Sequence, residues 1–412
     1  MKNKLNIHNN TFLDKQTRIS GISLKEEGES VILSALIERG KSKGMEIYFR
    51  VPVEYKNYIN TDGSSFLAAL LLPAMKNGER LKIDGTVSQK LISNVSAIKE
   101  LLFSWDQGFQ NTEVTSQEVK SDDNTKADRV ACFFSGGVDS FYTFLKNKHE
   151  NHEKITHFIF VHGFDVDLNN KRLFEETLCN IKNIAENEGV EVIVIETNLR
   201  DIVDPMLEWG FSFGGALASI GLLLRNGFKK IYIPSSNSYD ELFPWGSHPD
   251  LDHLWSTEGL TFIHDGSEAD RLEKIQKYIA KSDLALQYLR VCYRNERGEY
   301  NCSRCEKCFR TMVELRVAGV LDKCQTFKPF DMGAFKKIDA RGHIPQMYFQ
   351  KSLSALKKNN SDKELRDALE YVLSNKEHSS YKTKIRDFVN EFDGKHLNHF
   401  IYKLISRNKL PL

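Results

Sequence analysis

Residues 129–147 read RVACFFSGGVDSFYTFLKN, and this stretch decides the fold. The apolar run over 130–134 is typical of a buried strand, and Phe141, Phe144 and Leu145 then recur at helical spacing. Between the two patterns lies SGGVDS, where a pair of glycines allows a tight turn and a close approach of the backbone to a ligand. The stretch therefore predicts a strand, a glycine turn and a helix in direct succession.

The glycine turn predicts an anion-binding site. The first N–H groups of the helix face the turn, and the helix dipole favours negative charge there. The serine hydroxyls add donors, and Asp139 could hold a hydrated Mg²⁺ ion against phosphates. No lysine follows the glycines, so this is not the G-x-x-x-x-G-K-[ST] loop of kinase-like nucleotide-binding proteins. The candidate nucleotide-binding residues of the turn are Ser135, Gly136, Gly137, Val138, Asp139 and Ser140.

From residue 129 to about 280, strand and helix patterns alternate, which predicts an α/β fold with a parallel sheet. The predicted strands span 129–134, 156–161, 190–197 and 230–234, and the predicted helices 138–148, 171–187 and 214–226. Ligands of such sheets bind beyond the carboxyl ends of the strands. Ser235 and Ser236, which follow the fourth strand, are therefore further candidates for the nucleotide site.

The SGGVDS segment resembles the SGGxDS loop of the ATP pyrophosphatase (PP-loop) superfamily. The resemblance implies cleavage of ATP between the α and β phosphates, adenylation of a carboxylate or carbonyl oxygen, and release of pyrophosphate. It implies a lysine against the phosphates, for which Lys274 is the candidate. Arg271 lies one turn earlier on the same helix face. A charged helix face exposed to solvent is the alternative interpretation of these two residues. The resemblance also implies an adenine site after the second strand, formed by Val161, His162, Gly163 and Phe164.

An aromatic segment, LFPWGSHPDLDHLWS at 242–256, follows the fourth strand and predicts an irregular loop. Aromatic rings at a ligand edge could stack on a flat heterocycle, and carboxylates could read its polar edge. A packed surface loop with hydrogen-bonded histidines would have the same composition.

The second strong motif is C-x9-C-x2-C-x2-C, which predicts a metal site. Four thiolates at such spacing can close a tetrahedral Zn²⁺ site, and a closed site is structural. An iron–sulfur cluster or redox-active thiols would use the same residues. The chain has seven cysteines, an odd number that fits a reducing cytosol better than a disulfide framework. The candidate ligands are Cys292, Cys302, Cys305 and Cys308.

The glycine turn and the cysteine motif, about 150 residues apart, together resemble one PP-loop branch, the 7-cyano-7-deazaguanine synthases of queuosine biosynthesis. Cys292-Tyr293 and Arg310 match that family's zinc segment, and the resemblance covers roughly residues 129–320. It implies ATP-dependent adenylation of 7-carboxy-7-deazaguanine or a similar carboxylate, attack by ammonia to form an amide, and dehydration to the nitrile with a second ATP. The segments FPWGSHPD at 243–250 and FGG at 213–215 depart from the family's patterns.

Longer synthase-like proteins of bacterial antiphage operons also resemble this chain. That resemblance implies a protein amine as the acceptor and a partner protein from the same operon. Two alternatives remain open at this point. One is a PP-loop sulfur transferase acting on nucleic acid with an iron–sulfur cluster, and the other is a non-catalytic ATP-binding subunit of a defence complex.

Three regions are predicted along the chain: an N-terminal α+β accessory domain over 1–120, the catalytic PP-loop domain with its zinc site over 121–322, and a basic helical region over 323–412. The last region should contain helices at 352–358, 361–374 and 381–392. Its excess of lysine and arginine could contact RNA, DNA or an acidic partner, or it could cap the core. A homodimer is also compatible with the pattern.

Composition excludes some classes of function. With a formal net charge of +1 over 412 residues, no overall field recruits nucleic acid or anionic lipid. The start, MKNKLNIHNN, lacks the apolar core of a signal peptide, and the apolar runs 66–72 and 216–224 are too short to span a bilayer. We therefore expect a cytoplasmic protein without a membrane partner.

Overall fold

The computed structural model of the protein describes residues 15–40, 44–121, 127–150, 153–295, 298–340 and 342–374. The chain divides into two compact units, Met1–Asp270 and Arg271–Leu412. This division differs from the three predicted regions, whose boundaries lie near residues 120 and 322. The sheet of the first unit and the core of the second unit explain the difference.

A single sheet organises the first unit. In the described residues it has ten strands in the order β10-β9-β6-β7-β8-β3-β2-β1-β4-β5. The strands are β1 (Gln16–Glu27), β2 (Ser30–Arg39), β3 (Met45–Pro52), β4 (Arg80–Ser88), β5 (Val114–Lys120), β6 (Arg129–Phe133), β7 (His157–His162), β8 (Glu191–Thr197), β9 (Phe228–Pro234) and β10 (Thr261–Asp265).

The half of the sheet formed by β6 to β10 is parallel throughout, which confirms the predicted α/β class. From β6 the chain adds β7 and then β8 on one side, and it later returns to add β9 and β10 on the other. The order of the strands therefore reverses at β6, which makes the end of this strand a topological switch point. The sequence pattern did not predict β10, a five-residue strand that pairs only with β9 in the described sheet.

The N-terminal region extends this same sheet. Strands β1, β2 and β3 pair antiparallel, and β4 and β5 continue in parallel from β1. Strand β3 joins β8 through two residue pairs, Phe49 with Thr197 and Arg50 with Glu196. The described part of residues 1–120 therefore shares its sheet with the region that was predicted to be a separate domain.

Helices cover the sheet and strengthen the junction between its halves. Helix α1 (Ser64–Asn77) is buried over almost its full length and packs against α6 (Trp209–Leu223). Arg225, just after α6, donates two hydrogen bonds to Asp62, just before α1, at 2.9 and 2.6 Å. The other helices of this unit are α2 (Gln89–Trp105), α3 (Val138–His149), α4 (Lys171–Glu188), α5 (Leu199–Val203) and α7 (Pro249–Asp252).

The second unit is helical and has its own core. Phe309 of the segment that follows the cysteines packs with Phe335, Phe349 and Leu365. The cysteine segment and the described C-terminal helices therefore share one core, although the sequence suggested a boundary at 322. The helices are α8 (Arg271–Lys277), α9 (Asp283–Tyr288), α10 (Glu306–Val317), α11 (Met332–Phe335), α12 (His343–Lys358) and α13 (Lys363–Ser374).

The predicted helix at 352–358 is the second half of α12, and the predicted helix at 361–374 corresponds to α13. The predicted helix at 381–392 lies outside the described residues. In the part of the chain that the structure describes, no helix combines the length and the apolar character needed to cross a membrane.

Candidate functional site

The glycine turn lies at the switch point, between β6 and α3. Gly136 has a φ of 73°, a left-handed conformation that strains any residue with a Cβ. Gly137 is the N-cap of α3, and its carbonyl oxygen accepts hydrogen bonds from Phe141 N at 3.0 Å and Ser140 Oγ at 3.1 Å. In the described structure the N-cap residue of this helix makes no side-chain capping hydrogen bond, and the first N–H groups of the helix lie at the turn. The turn has the geometry of an anion site.

Aromatic packing beneath the turn holds it in place. The ring of Phe134, the last residue before the turn, stacks on Phe158 of β7 with centroids 4.0 Å apart. Phe141 and Phe144 of α3 contact the Phe134 ring edge-on. The turn is therefore mounted on a close-packed strand and helix, and it needs little reordering to receive a ligand.

The side chains of the candidate adenine residues are packed in the interior of the protein. Val161 and Phe164 are 7% exposed and belong to the main hydrophobic cluster. The ring of His162 stacks on Phe174 with centroids 3.9 Å apart, and in the described structure neither ring nitrogen has a hydrogen-bond partner. Burial lowers the pKa of His162, so the ring is neutral at physiological pH. A contact from this segment to a nucleotide would therefore come from the backbone around Gly163.

Ser235 and Ser236 follow β9 at the same edge of the sheet. The Ser236 side chain is exposed, whereas Ser235 is 2% exposed. The Ser235 N–H donates to the carbonyl oxygen of Asp265 at 2.7 Å, which ties the ends of β9 and β10 together. Of the two serines, only Ser236 has a side chain open to solvent.

The aromatic loop after β9 packs on the start of α6. A Cβ on Gly214 would overlap the carbonyl oxygen of Gly246, so the loop and the helix approach backbone to backbone. This approach brings the half-buried ring of Trp245 within 6.0 Å of Phe213 and 5.4 Å of Phe243, measured between centroids. The loop thus presents a partly exposed aromatic surface, as a heterocycle site requires.

The other half of the loop is packed rather than open. His248 is the N-cap of α7, and its ring contacts Trp105 edge-on with centroids 4.8 Å apart. Burial lowers the pKa of His248. The packed loop with hydrogen-bonded histidines therefore describes this half of the segment, and a heterocycle site at the other half stays a prediction.

Arg271 and Lys274 lie on α8 in the second unit, and both are buried. The guanidinium of Arg271 donates to Glu314 Oε2 at 3.1 Å and to Thr311 Oγ1 at 2.9 Å. This pairing gives Arg271 a structural role in its own unit. A role of either residue in phosphate chemistry stays a prediction.

The four motif cysteines converge in the second unit, as the spacing predicted. Their sulfur atoms all lie within 4.8 Å of one another, and all four residues are buried. The Sγ atoms of Cys302 and Cys308 are 3.8 Å apart, and those of Cys292 and Cys305 are 4.0 Å apart. A tetrahedral Zn²⁺ with bonds of about 2.3 Å places its sulfurs about 3.8 Å apart. The residues fit a zinc ion.

Backbone and side-chain contacts also hold the four cysteines in position. The N–H groups of Cys305 and Cys308 donate to the sulfurs of Cys302 and Cys305 at 3.3 and 3.4 Å. Asn301 Oδ1 accepts from Cys292 N at 3.1 Å, and its Nδ2 donates to the carbonyl oxygen of Leu289 at 2.8 Å. The side chain of Asn301 therefore joins the two cysteine segments, a role that sequence reasoning missed.

Electrostatics of the cluster also favours a cation. Hydrogen bonds from the thiols of Cys302, Cys305 and Cys308 hold the pKa of Cys292 well below its usual value. Hydrogen bonds with Cys292, Cys302 and Cys305 raise the pKa of Cys308 well above its usual value. The neighbouring thiols thus stabilise the thiolate of Cys292 by hydrogen bonding, whereas the thiol of Cys308 is stabilised in its protonated form. A bound Zn²⁺ would allow all four to be thiolates.

Comparisons with protein-family models, with curated proteins and with solved structures find no match for this chain. The resemblance to the PP-loop superfamily and to its deazaguanine branch therefore stays a prediction that depends on the sequence motifs.

Proposed function

We propose that this protein is an ATP-dependent synthase that adenylates a carboxylate, releases pyrophosphate and passes the acyl group to a nitrogen nucleophile. The observation that carries the proposal is the glycine turn at the switch point of the parallel sheet. Open α/β sheets bind their ligands at this position, and helix N-termini bind phosphate groups there.

The residues of the turn have separable roles in this proposal. The main-chain N–H groups of residues 136–140 bind the phosphates and stabilise the charge that develops on them. Asp139, in the first turn of α3 and partly exposed, would hold Mg²⁺ together with serine hydroxyls, since this ion prefers oxygen ligands. That ion would supply positive charge to the phosphates.

The acyl substrate in this proposal is 7-carboxy-7-deazaguanine or a similar carboxylate on a flat heterocycle. The partly exposed aromatic surface around Trp245 and Phe243 supports a heterocycle, because offset stacking on aromatic rings suits such a group. The nucleophile is ammonia or a protein amine. The cysteine cluster with Zn²⁺ keeps the second unit folded and takes no part in the chemistry, because a four-sulfur site has no open position.

The test is ATP–pyrophosphate exchange with a panel of carboxylates that includes 7-carboxy-7-deazaguanine. We expect exchange that depends on one class of carboxylate, and we expect Asp139→Asn to lower its rate at least about 100-fold, as loss of an electrostatic stabiliser does. Asp283→Asn, which changes an exposed first-turn aspartate in the other unit, should leave the rate unchanged. Equal exchange by Asp139→Asn and the wild type would refute the proposal.

Mass spectrometry of the products identifies the nucleophile. Ammonium should give the amide, and with further ATP the nitrile, whereas a protein acceptor should gain the acyl mass on an amine. If neither product forms while exchange proceeds, the transfer half of the proposal is wrong and the adenylation half stands.

A further inference from the structure

A buried chain of hydrogen bonds links the carboxyl ends of β9 and β10 to the aromatic loop. Ser235 Oγ lies 2.8 Å from Ser267 Oγ, which lies 3.0 Å from His264 Nε2. His264 Nδ1 lies 2.7 Å from Asp252 Oδ2, and this carboxylate oxygen also accepts from Ser247 Oγ at 2.6 Å. Three separate segments of the first unit therefore contribute to one chain of polar groups, which we name the serine–histidine–aspartate chain.

The chemistry of the groups gives the chain a direction. An ionised carboxylate only accepts hydrogen bonds, so the short contact with Asp252 requires a proton on Nδ1 of His264. In neutral His264, Nε2 then carries a lone pair and accepts from the Ser267 hydroxyl. Ser267 in turn can accept from the hydroxyl of Ser235. The carbonyl oxygen of Asn237 is an alternative acceptor, 2.9 Å from Ser267 Oγ and 2.7 Å from Ser235 Oγ. A proton that reaches Ser235 can therefore pass to His264.

Burial separates this chain from an ordinary surface network. Ser235 and Ser267 are 2% exposed, Asp252 is fully buried, and the side chain of His264 is 6% exposed. Buried polar networks carry a desolvation cost that apolar packing would avoid. Because neither serine hydroxyl is open to solvent, the chain is not arranged as a surface nucleophile.

The position of Ser235 connects the chain to the chemistry proposed above. Ser235 follows β9, the neighbour of β6, and the glycine turn follows β6. Both lie at the carboxyl edge of the same parallel strands. In the reaction proposed above, the nucleophile that attacks the acyl adenylate loses a proton near this edge, where Ser235 and Ser267 are buried.

We propose that the serine–histidine–aspartate chain accepts the proton released when a nitrogen nucleophile attacks the acyl adenylate, an inference that rests on the proposed function. The C–N bond forms as the bond between the acyl carbon and the AMP oxygen breaks, and AMP leaves with that electron pair. The proton passes to Ser235, whose own proton passes to Ser267, whose proton passes to Nε2 of His264. Asp252 stabilises the resulting imidazolium, which later returns its proton to water.

His264 and Asp252 act through the serines, so they are positioning and proton-accepting residues behind the reacting groups. In the described structure Asp252 on α7 and His248 both face His264, and burial lowers the pKa of His248. The experiment therefore separates the two half-reactions and does not depend on which of these groups titrates.

The experiment measures, on the full-length protein, ATP–pyrophosphate exchange and the single-turnover rate of amide formation with ammonium. The variants are His264→Gln, Ser267→Ala and Ser267→Cys, which keeps a proton donor of similar size. Ser256→Ala is the matched control, because its buried hydroxyl also ties the loop to β10, by accepting from Phe262 N at 3.0 Å, yet lies off the chain.

We expect His264→Gln and Ser267→Ala to retain exchange within about threefold and to lose about 100-fold in amide formation, the typical contribution of a general base. Ser267→Cys should recover a large part of that loss, and Ser256→Ala should match the wild type. If His264→Gln fails to fold, the serine variants decide the question. Normal amide formation by Ser267→Ala overturns the inference while leaving the proposed function intact. Absence of exchange in the wild type overturns both.

Discussion

Substitution of one motif cysteine should remove the metal and unfold the second unit. In Cys308→Ser, the sulfur that lies 3.8 Å from Cys302 Sγ is replaced by an oxygen that binds zinc poorly in such a site. Structural zinc contributes about 10–16 kcal/mol of apparent binding free energy in zinc-finger peptides, whereas a whole domain is stable by only about 5–15 kcal/mol. Loss of the site is therefore comparable to the entire stability of the unit.

Metal analysis of purified protein, together with hydrogen exchange of peptides from 271–374, measures this outcome. We expect about one zinc per wild-type chain, far less than one in Cys308→Ser, and fast exchange in the α10 region of that variant. Cys324→Ser is the matched control, because this buried thiol of the same unit lies outside the cluster and contacts Thr326 instead. The Cys324→Ser variant should keep its zinc and the protection of its backbone amides from hydrogen exchange.

Two results would refute this reasoning. Stoichiometric zinc in Cys308→Ser would show that the cluster is not the binding site. Iron and acid-labile sulfide in the wild type would favour an iron–sulfur cluster, and with it the sulfur-transferase alternative. Acidification should release the zinc, since the thiols must be deprotonated to bind it.

Three further predictions concern the first unit. Asp62→Ala removes the carboxylate that pairs with the buried guanidinium of Arg225, and it should lower the free energy of unfolding by about 3–5 kcal/mol in urea denaturation. Adding Arg225→Met should recover part of this loss. If the stability changes of the two single variants simply add in the double variant, the pairing is contradicted. Burial lowers the pKa of His162, so the free energy of unfolding of the wild type should decrease as the pH falls below about 6.5. The contribution of this residue is at most about 1.4 kcal/mol per pH unit. His162→Phe should show a shallower decline, and an identical pH dependence would exclude this cause. Gly214→Ala should cost about 1–3 kcal/mol because the added Cβ overlaps the backbone of Gly246, and an unchanged thermal midpoint would contradict that close approach.

Short-range sequence patterns were sufficient to predict the structure of the glycine turn and of the cysteine cluster. The apolar run, the glycine pair and the helical spacing of residues 129–147 predicted β6, the turn and α3 to within one residue. These features depend on local backbone preferences, which residues a few positions apart determine. The cysteine cluster was predictable for a similar reason, because a metal imposes its own geometry on a short segment.

Long-range contacts decided the rest. Two residue pairs between β3 and β8 merge the N-terminal strands with the parallel sheet, and residues such as Phe49 and Thr197 carry no local sign of that pairing. Asp252, His264 and Ser235 meet only because β9 and β10 end side by side and the aromatic loop folds back onto them. The sequence by itself determined the strand, the turn, the helix and the four sulfurs. Only the tertiary structure decided which distant segments share a sheet, a core or a hydrogen-bond chain, since the energy of such contacts depends on both partners at once.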